Sequence, residues 1–423
     1  FIFEFINTCF HTRYLECFDR LIIARSVHFD SRQSTLIAQQ DCNLKLYRSR
    51  CTKSYDTLNA SLQYCSKVVF RNFLFQESYT MERHRPAVIY DKVSLKHLPK
   101  LSDLDVQVQD LVRKSSWFER YGFDWCLCAF SLLMVPLALV ILQGDSWIHL
   151  SAGALLYGWI HTVLATKCGH AAAHGALMSS SSGHRLLSVI FVELVGTFSE
   201  ELAYDIHIKT HHPYTNIIGL GDSSTWKAPF IPAFIYMFIT PLAVPFLAPL
   251  VSIAGLFGQW LKLLRFLIIA GIGLTISLLL LMKVSGFSLL GAIFFTCITR
   301  GIWSIPYIHV NIFQHIGLPM YSRESKPKRI YQMATGVLNL FRNPLLDYAF
   351  GHSIINCHVE HHLFPKLSDN MCLKIKPIVA KFLKENGLPY NEDSYMGRLW
   401  HFLDKYTELM VHAPPITHFV GLQ

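Results

Sequence analysis

The feature that most limits how this chain can fold is a series of long, nearly uncharged apolar runs. DWCLCAFSLLMVPLALVIL, from Asp124 to Leu142, and WIHLSAGALLYGWIHTVLAT, from Trp147 to Thr166, each approach the roughly 20 residues an α-helix needs to cross a bilayer. Further runs lie near residues 229–254, 265–282 and 286–305. With 52% hydrophobic and 13% aromatic residues, the composition agrees, and the expected fold is an all-α, polytopic membrane protein.

The net charge of +9 would suit nucleic acid in a soluble protein. Here the basic residues flank the apolar runs, where lysine and arginine mark cytoplasmic ends, so the surroundings read as membrane lipids and no nucleic acid partner is expected. The 11 cysteines form no C-x-x-C pair, and Cys126, Cys128 and Cys297 sit inside apolar segments, which argues against a disulfide framework or zinc ribbon.

Arg113, Lys114 and Arg120 precede the first run, Lys167 follows the second, and the joining QGDS carries no basic residue. The positive-inside rule makes these two runs a hairpin with its tip outside the cytosol. The run at 229–254 contains Pro229, Pro232, Pro241, Pro245 and Pro249, which break helical hydrogen bonds and favour a re-entrant path. If it dips in and returns, Lys262 and Arg265 are cytosolic, about four helices cross, and both termini are cytosolic.

Leu104, Val108, Leu111 and Val112 recur at helical spacing and predict a juxtamembrane helix, with Trp117 and Phe118 at headgroup level. Beyond Pro365, NMCLKIKPIVAKFLKEN and GRLWHFLDKYTELM read as amphipathic segments that lie against the catalytic face or the membrane surface, or as ordinary surface helices of a cytosolic cap. Residues 1–103 show no clear period and read as an N-terminal extension, poorly ordered or a gene-model artefact, so the membrane domain is expected over 104–423.

Histidines cluster in three places: HAAAH (His170, His174), HIKTHH (His207, His211, His212) and HVEHH (His358, His361, His362). Spacings of three and four put rings on one helical face, and a doubled histidine adds a ring at another angle. The charge pattern places all three clusters on one side of the membrane, which predicts a shared metal site. Eight imidazoles exceed the needs of one ion, so two ions are implied; imidazole suits zinc, copper, iron and nickel alike.

HAAAH, HIKTHH and HVEHHLFP, in this order and separated by spans, resemble the three histidine boxes of the membrane fatty acid desaturase family. The resemblance runs from about Leu104 to the C-terminus. It implies a diiron centre, two Fe ions held by the box histidines in the cytosolic cap, with a ninth ligand matched by His315 of HVNIFQHIG and a metal-bound water held by Asn311. It implies an enzyme that uses O2 to introduce a double bond into an acyl lipid or acyl-CoA, with electrons from a separate cytochrome b5 and its reductase. No HPGG-type haem motif and no G-x-G-x-x-G in a strand-helix context is present. The third box begins with His358 where front-end desaturases usually carry glutamine. The expected location is the endoplasmic reticulum membrane, catalytic side cytosolic.

His161, His309 and His352 read as histidines outside the site. Glu200, Glu201, Asp205, Asp222 and Glu360 are candidates to orient ligand rings through the second nitrogen. Lys167, Arg185, Lys209, Lys227 and Arg329 are candidates to hold a phosphorylated carrier such as coenzyme A. A lipid hydroxylase on the same scaffold, a dizinc membrane hydrolase and a non-enzymatic lipid sensor remain alternatives.

Overall fold

The computed structural model describes residues 98–218, 220 and 230–412; most of the expected N-terminal extension, with Asp222, Lys227 and Pro229, lies outside the described residues. The first helix, α1 (Leu101–Lys114), buries Leu104 and Val108, four residues apart, against Ile375 and Val379. Trp117 and Phe118 beyond its end are exposed, as side chains placed at a headgroup level should be.

The hairpin follows as α2 (Phe118–Ile141) and α3 (Trp147–Ala173), with Ser146 Oγ accepting from the His149 N–H to cap the start of α3. Next come α4 (181–195), α5 (200–214), α6 (Ile235–Gly255), α7 (Trp260–Lys283) and α8 (Leu289–Phe313). Among the described residues five helices, α2, α3, α6, α7 and α8, are long and apolar enough to cross a membrane.

Contacts sort these five. At the end away from the histidines, Gln143 Nε2 donates to Val284 O (2.9 Å), Ser285 Oγ donates to Leu139 O (2.9 Å), and Leu142, Leu281 and Phe295 share a core. At the other end Lys262 and Arg265, in the first turns of α7, meet Glu201 and Glu193 (2.8 Å each), and α8 ends just before His315. So α2, α3, α7 and α8 run the full distance.

α6 does not. Near its start Met237 O accepts from His309 Nε2 (2.9 Å), Leu242 then lies against Gly301, about 12 Å further along α8, and Ser252 Oγ accepts from Ser199 N–H (2.9 Å) near its end. The segment enters and returns to the histidine side. Its backbone changes from a π turn (Ile235–Ile239) to a 3-10 turn (Thr240–Ala243) and then to α-helix, with Pro241 and Pro245 opening the last two where a missing N–H costs nothing. The structure therefore agrees with about four crossings.

The cap comprises α9 (Arg329–Gly336), α10 (Pro344–Phe350), α11 (His358–Leu363), α12 (Asp369–Glu385) and α13 (Tyr395–His412), around a core of Ile330, Met333, Val359, Leu363, Ile375 and Leu383. One small departure from the all-α expectation is a parallel pair, β1 (Leu338–Leu340) with β2 (Asn391–Asp393), linking the two halves of the cap.

Cap and membrane helices are joined by a buried ion cluster. Lys167 Nζ contacts Asp124 of α2 and Asp369 Oδ2 (2.6 Å), the first residue of α12, and all three side chains are at most 5% exposed. Lys167, expected as a membrane-flanking charge and possible carrier contact, is thus enclosed. A buried charge survives only with its partners. Lys167→Met leaves two buried carboxylates without a counter-ion and should destabilise the protein by about 3–5 kcal/mol, read as earlier thermal unfolding of the detergent-solubilised protein.

The path of α6 makes a second expectation. A cysteine at exposed Gln259 should react with a membrane-impermeant reagent from the same side as one at Asp205, and one at Asp145 only from the opposite side. Labelling of positions 259 and 205 from opposite faces would require a fifth crossing.

Candidate metal centre

The three boxes are local geometry put to use. HAAAH closes α3 just after a π turn (Val163–Cys168), and the i,i+4 spacing puts His170 and His174 on one face. HIKTHH lies in a π-helical stretch (Tyr204–His211) whose wider i→i+5 repeat spreads His211 and His212 to either side of His207. HVEHH is a regular turn: His358 and His362 share a face, and His361 stands about 100° away.

Nine histidines come together in two groups. His170, His174, His207, His212 and His361 form one; His211, His315, His358 and His362 form the other, with ligand atoms within 4.8 Å of each other inside each group. The doubled histidines divide between the groups, so boxes two and three each reach both. His212 and His362 stack across the boundary with ring centroids 4.3 Å apart.

The second group fits a cation on hydrogen-bonding grounds. His315 Nδ1 faces Gly336 O (3.3 Å), His358 Nδ1 faces Ser353 O (2.9 Å), and each must donate its proton there. Thr215 gives its own hydroxyl proton to His211 O (2.7 Å), so His362 Nδ1 donates to Thr215 Oγ1 (3.2 Å). All three rings then aim bare Nε2 lone pairs at one another, with His358 Nε2 2.9 Å from His315 Nε2 and 3.2 Å from His362 Nε2. A cation among them resolves that repulsion, and such spacings suit nitrogens sharing an ion at about 2.1 Å.

In the first group His212 Nε2 lies 3.1 Å from His361 Nε2 and 3.2 Å from His207 Nε2, and His174 Nε2 is buried with no partner among the described residues. Burial holds His174, His207, His212, His315, His361 and His362 well below the ordinary histidine range, and His358 at about 3, so these rings are neutral and able to ligate.

The Asn311 amide donates to Tyr307 O (2.7 Å). His309 is held by Met237 O and the Tyr395 hydroxyl (2.5 Å), and His352 by Asn356 Oδ1 (3.2 Å), both away from the groups; His161 is in neither. The carboxylates expected to orient rings do other work. Glu201 meets Lys262 and Arg265, Asp205 meets Lys209 (2.7 Å), and Glu200 N–H donates to Glu193. Glu360, fully buried, accepts from Asn339 Nδ2 (3.0 Å) and Tyr390 OH (2.7 Å), and burial raises its carboxyl to about 7. Of the carrier candidates, Arg329 is engaged with His362 O (2.6 Å), while Arg185 and Lys209 remain on the surface.

Several supporting residues carry no local signal. Asn339 Oδ1 accepts from Val359 N–H (2.8 Å), satisfying a free donor at the start of HVEHH. Asn216, at φ +55° where asparagine is tolerated, turns the chain after HIKTHH and donates to His315 O and Gly336 O (3.2 Å each). Gln332 Nε2 donates to Thr215 O (2.8 Å).

Four membrane-crossing helices under a helical cap, with nine imidazoles gathered at their common end, define an integral-membrane protein with a candidate two-metal histidine site. The chain belongs to the fatty acid desaturase family, whose profile matches residues 145–394 and so takes in every one of these histidines. It is 50% identical over 325 residues to Fatty acid desaturase 6 of Bos taurus, covering 76% of this chain and 95% of that protein. The corresponding human protein is 50% identical over 327 residues, 76% of this chain and 91% of its own length. A Delta(5) fatty acid desaturase of Caenorhabditis elegans matches at 28% identity over 112 residues, 26% of this chain and 24% of that protein.

The partition predicts a graded loss of metal. His315→Ala removes one of four ligands and should lower metal content toward one ion per chain, whereas His309→Gln should keep two; elemental analysis of the purified variants reads this directly.

Proposed function

We propose that this protein introduces a double bond into the acyl chain of a fatty acid or acyl lipid, using O2, two iron ions held by the nine histidines, and electrons from a separate cytochrome b5 and its reductase. The observation that carries this reading is a set of five and four imidazoles, most of them buried, with no carboxylate in either group. An iron pair in that setting supplies the oxygen chemistry that removal of hydrogen from an unactivated methylene demands, which acid and base side chains cannot provide.

The chain's own task is positional. The rings would hold the ions through neutral nitrogens, and α3 and α8 bring His170 and His315 to the common end of the crossing helices. The family membership supports an acyl substrate, and the names of its relatives refer to fatty acid desaturation.

Basic residues support a cytosolic catalytic side. Lys209, Lys262, Arg265 and Lys374 lie at the histidine end, while Lys283 is the one lysine or arginine in or beside the opposite turns. An endoplasmic reticulum location and coupling to cytochrome b5 belong to the same reading.

Expression in a host lacking the activity should yield lipids lighter by two hydrogens, dependent on O2 and lost in His361→Ala and His362→Ala proteins that still insert in the membrane. Products heavier by one oxygen would make it a hydroxylase. Turnover without O2 by a zinc-loaded protein would make it a hydrolase.

A further inference from the structure

The C-terminal helix α13 supplies no ligand to either metal group, yet one face of it is turned toward the end of α8. Tyr395, Arg398, Phe402 and Tyr406 recur at spacings of three and four and so share that face. Tyr395 OH donates to His309 Nδ1 (2.5 Å), and the Phe402 and Tyr406 rings lie 5.9 and 5.7 Å from the Tyr236 ring of the re-entrant α6. Arg398, 7% exposed, is held between these anchors.

A helix leaves its last carbonyls without intrahelical partners. α8 ends at Phe313 with no lysine or arginine in its last turn, and the chain runs on through Gln314, His315 and Ile316, all four residues at most 7% exposed. Buried carbonyls need partners, and each of these four is met from outside α8. Leu338 N–H donates to Gln314 O (3.0 Å), Asn216 Nδ2 to His315 O (3.2 Å), Arg398 Nε to Phe313 O (3.0 Å), and Arg398 Nη2 to Ile316 O.

One guanidinium therefore grips the main chain on both sides of His315, and its charge complements the helix dipole at this C-terminus. Gly317, at φ +74°, turns the chain there, and a Cβ on it would come within 2.9 Å of the His401 ring of α13. The His315 ring is tied through Nδ1 to Gly336 O (3.3 Å), and its Nε2 lies 2.9 Å from His358 Nε2 in the four-histidine group. The family profile stops at residue 394, just short of Arg398.

We propose that Arg398 is a positioning residue for one of the two ions: by fixing the main chain on both sides of His315, it sets that imidazole in the four-histidine group. It acts through the ligand, not on metal or substrate. The proposal rests on the two-metal reading for the ion and on the α13 contacts for the effect. A lysine at this position would offer one point charge where the planar fork meets two carbonyls.

The test uses the full chain in nanodiscs, stripped of metal and titrated anaerobically with ferrous iron, bound iron being read by elemental analysis. Wild-type protein should take up two ions. Arg398→Met should weaken one of them about tenfold or more and leave the other unchanged, with Arg398→Lys between the two. A double-mutant cycle separates positioning from general stability: in a His315→Ala background, where the ligand is already gone, Arg398→Met should change iron binding little further.

Unchanged uptake of both ions by Arg398→Met overturns the assignment, and so does equal weakening of both, which is what a residue that only holds the fold together would give. Effects of Arg398→Met and His315→Ala that add in full count against it in the same way. If Arg398→Met does not fold, Arg398→Lys carries the test: selective weakening of one ion supports the assignment, and equal or no weakening overturns it. Selective loss seen with zinc, in a protein that binds no iron and forms no double bond, would sink the desaturase reading and leave Arg398 in its role. Two irons and O2-dependent product in an Arg398→Met protein with intact metal binding would do the reverse.

Discussion

Everything in this fold answers to one requirement: nine imidazole rings, most of them buried, must be brought together in two groups. An imidazole taken out of water loses its proton readily, and crowding by other imidazoles opposes protonation further, so the neutral ligating form is the form that burial itself selects. The rings come from the ends of α3 and α8, from α5 and from α11, and no pair of these elements could hold them alone. The four crossing helices supply a rigid frame because each satisfies its own backbone within the bilayer. The cap closes the frame through Lys167, which fixes Asp369 of α12 to α2 and α3 three residues before His170.

How much of this was legible depends on the range of the interaction. The spans, the re-entrant proline run and the box spacings are local, and the structure follows them: Pro241 and Pro245 stand where α6 changes from π to 3-10 to α-helix, and His170 and His174 share a face. The division of neighbours such as His211 and His212 between two groups was not legible, because it follows from a π-helical stretch that an α-helical count does not anticipate. Long-range pairing hid the rest. Lys167 looks like a flanking charge until Asp369, about 200 residues on, closes over it. The carboxylates beside the boxes look like ring partners until the backbone carbonyls of Gly336 and Ser353 are seen in that role.

Those carbonyls matter because the two groups are held differently. In the four-histidine group, three second nitrogens are anchored, by Gly336 O, Ser353 O and Thr215 Oγ1, which fixes both tautomer and ring orientation. In the five-histidine group, Nδ1 of His212 and of His361 is buried without a partner among the described residues. Those rings are oriented by packing on one another, with His174 4.5 Å from His212 and 4.4 Å from His361 between centroids. An anchored ring is a stronger base and a stiffer ligand than one held by contact alone. The group with fewer ligands is therefore the better determined, and the extra histidine of the other offsets its looser hold by number. A pair of ions bound here would sit in unlike surroundings although every ligand is the same kind of side chain, a difference set by which rings meet backbone carbonyls and a hydroxyl on their far sides.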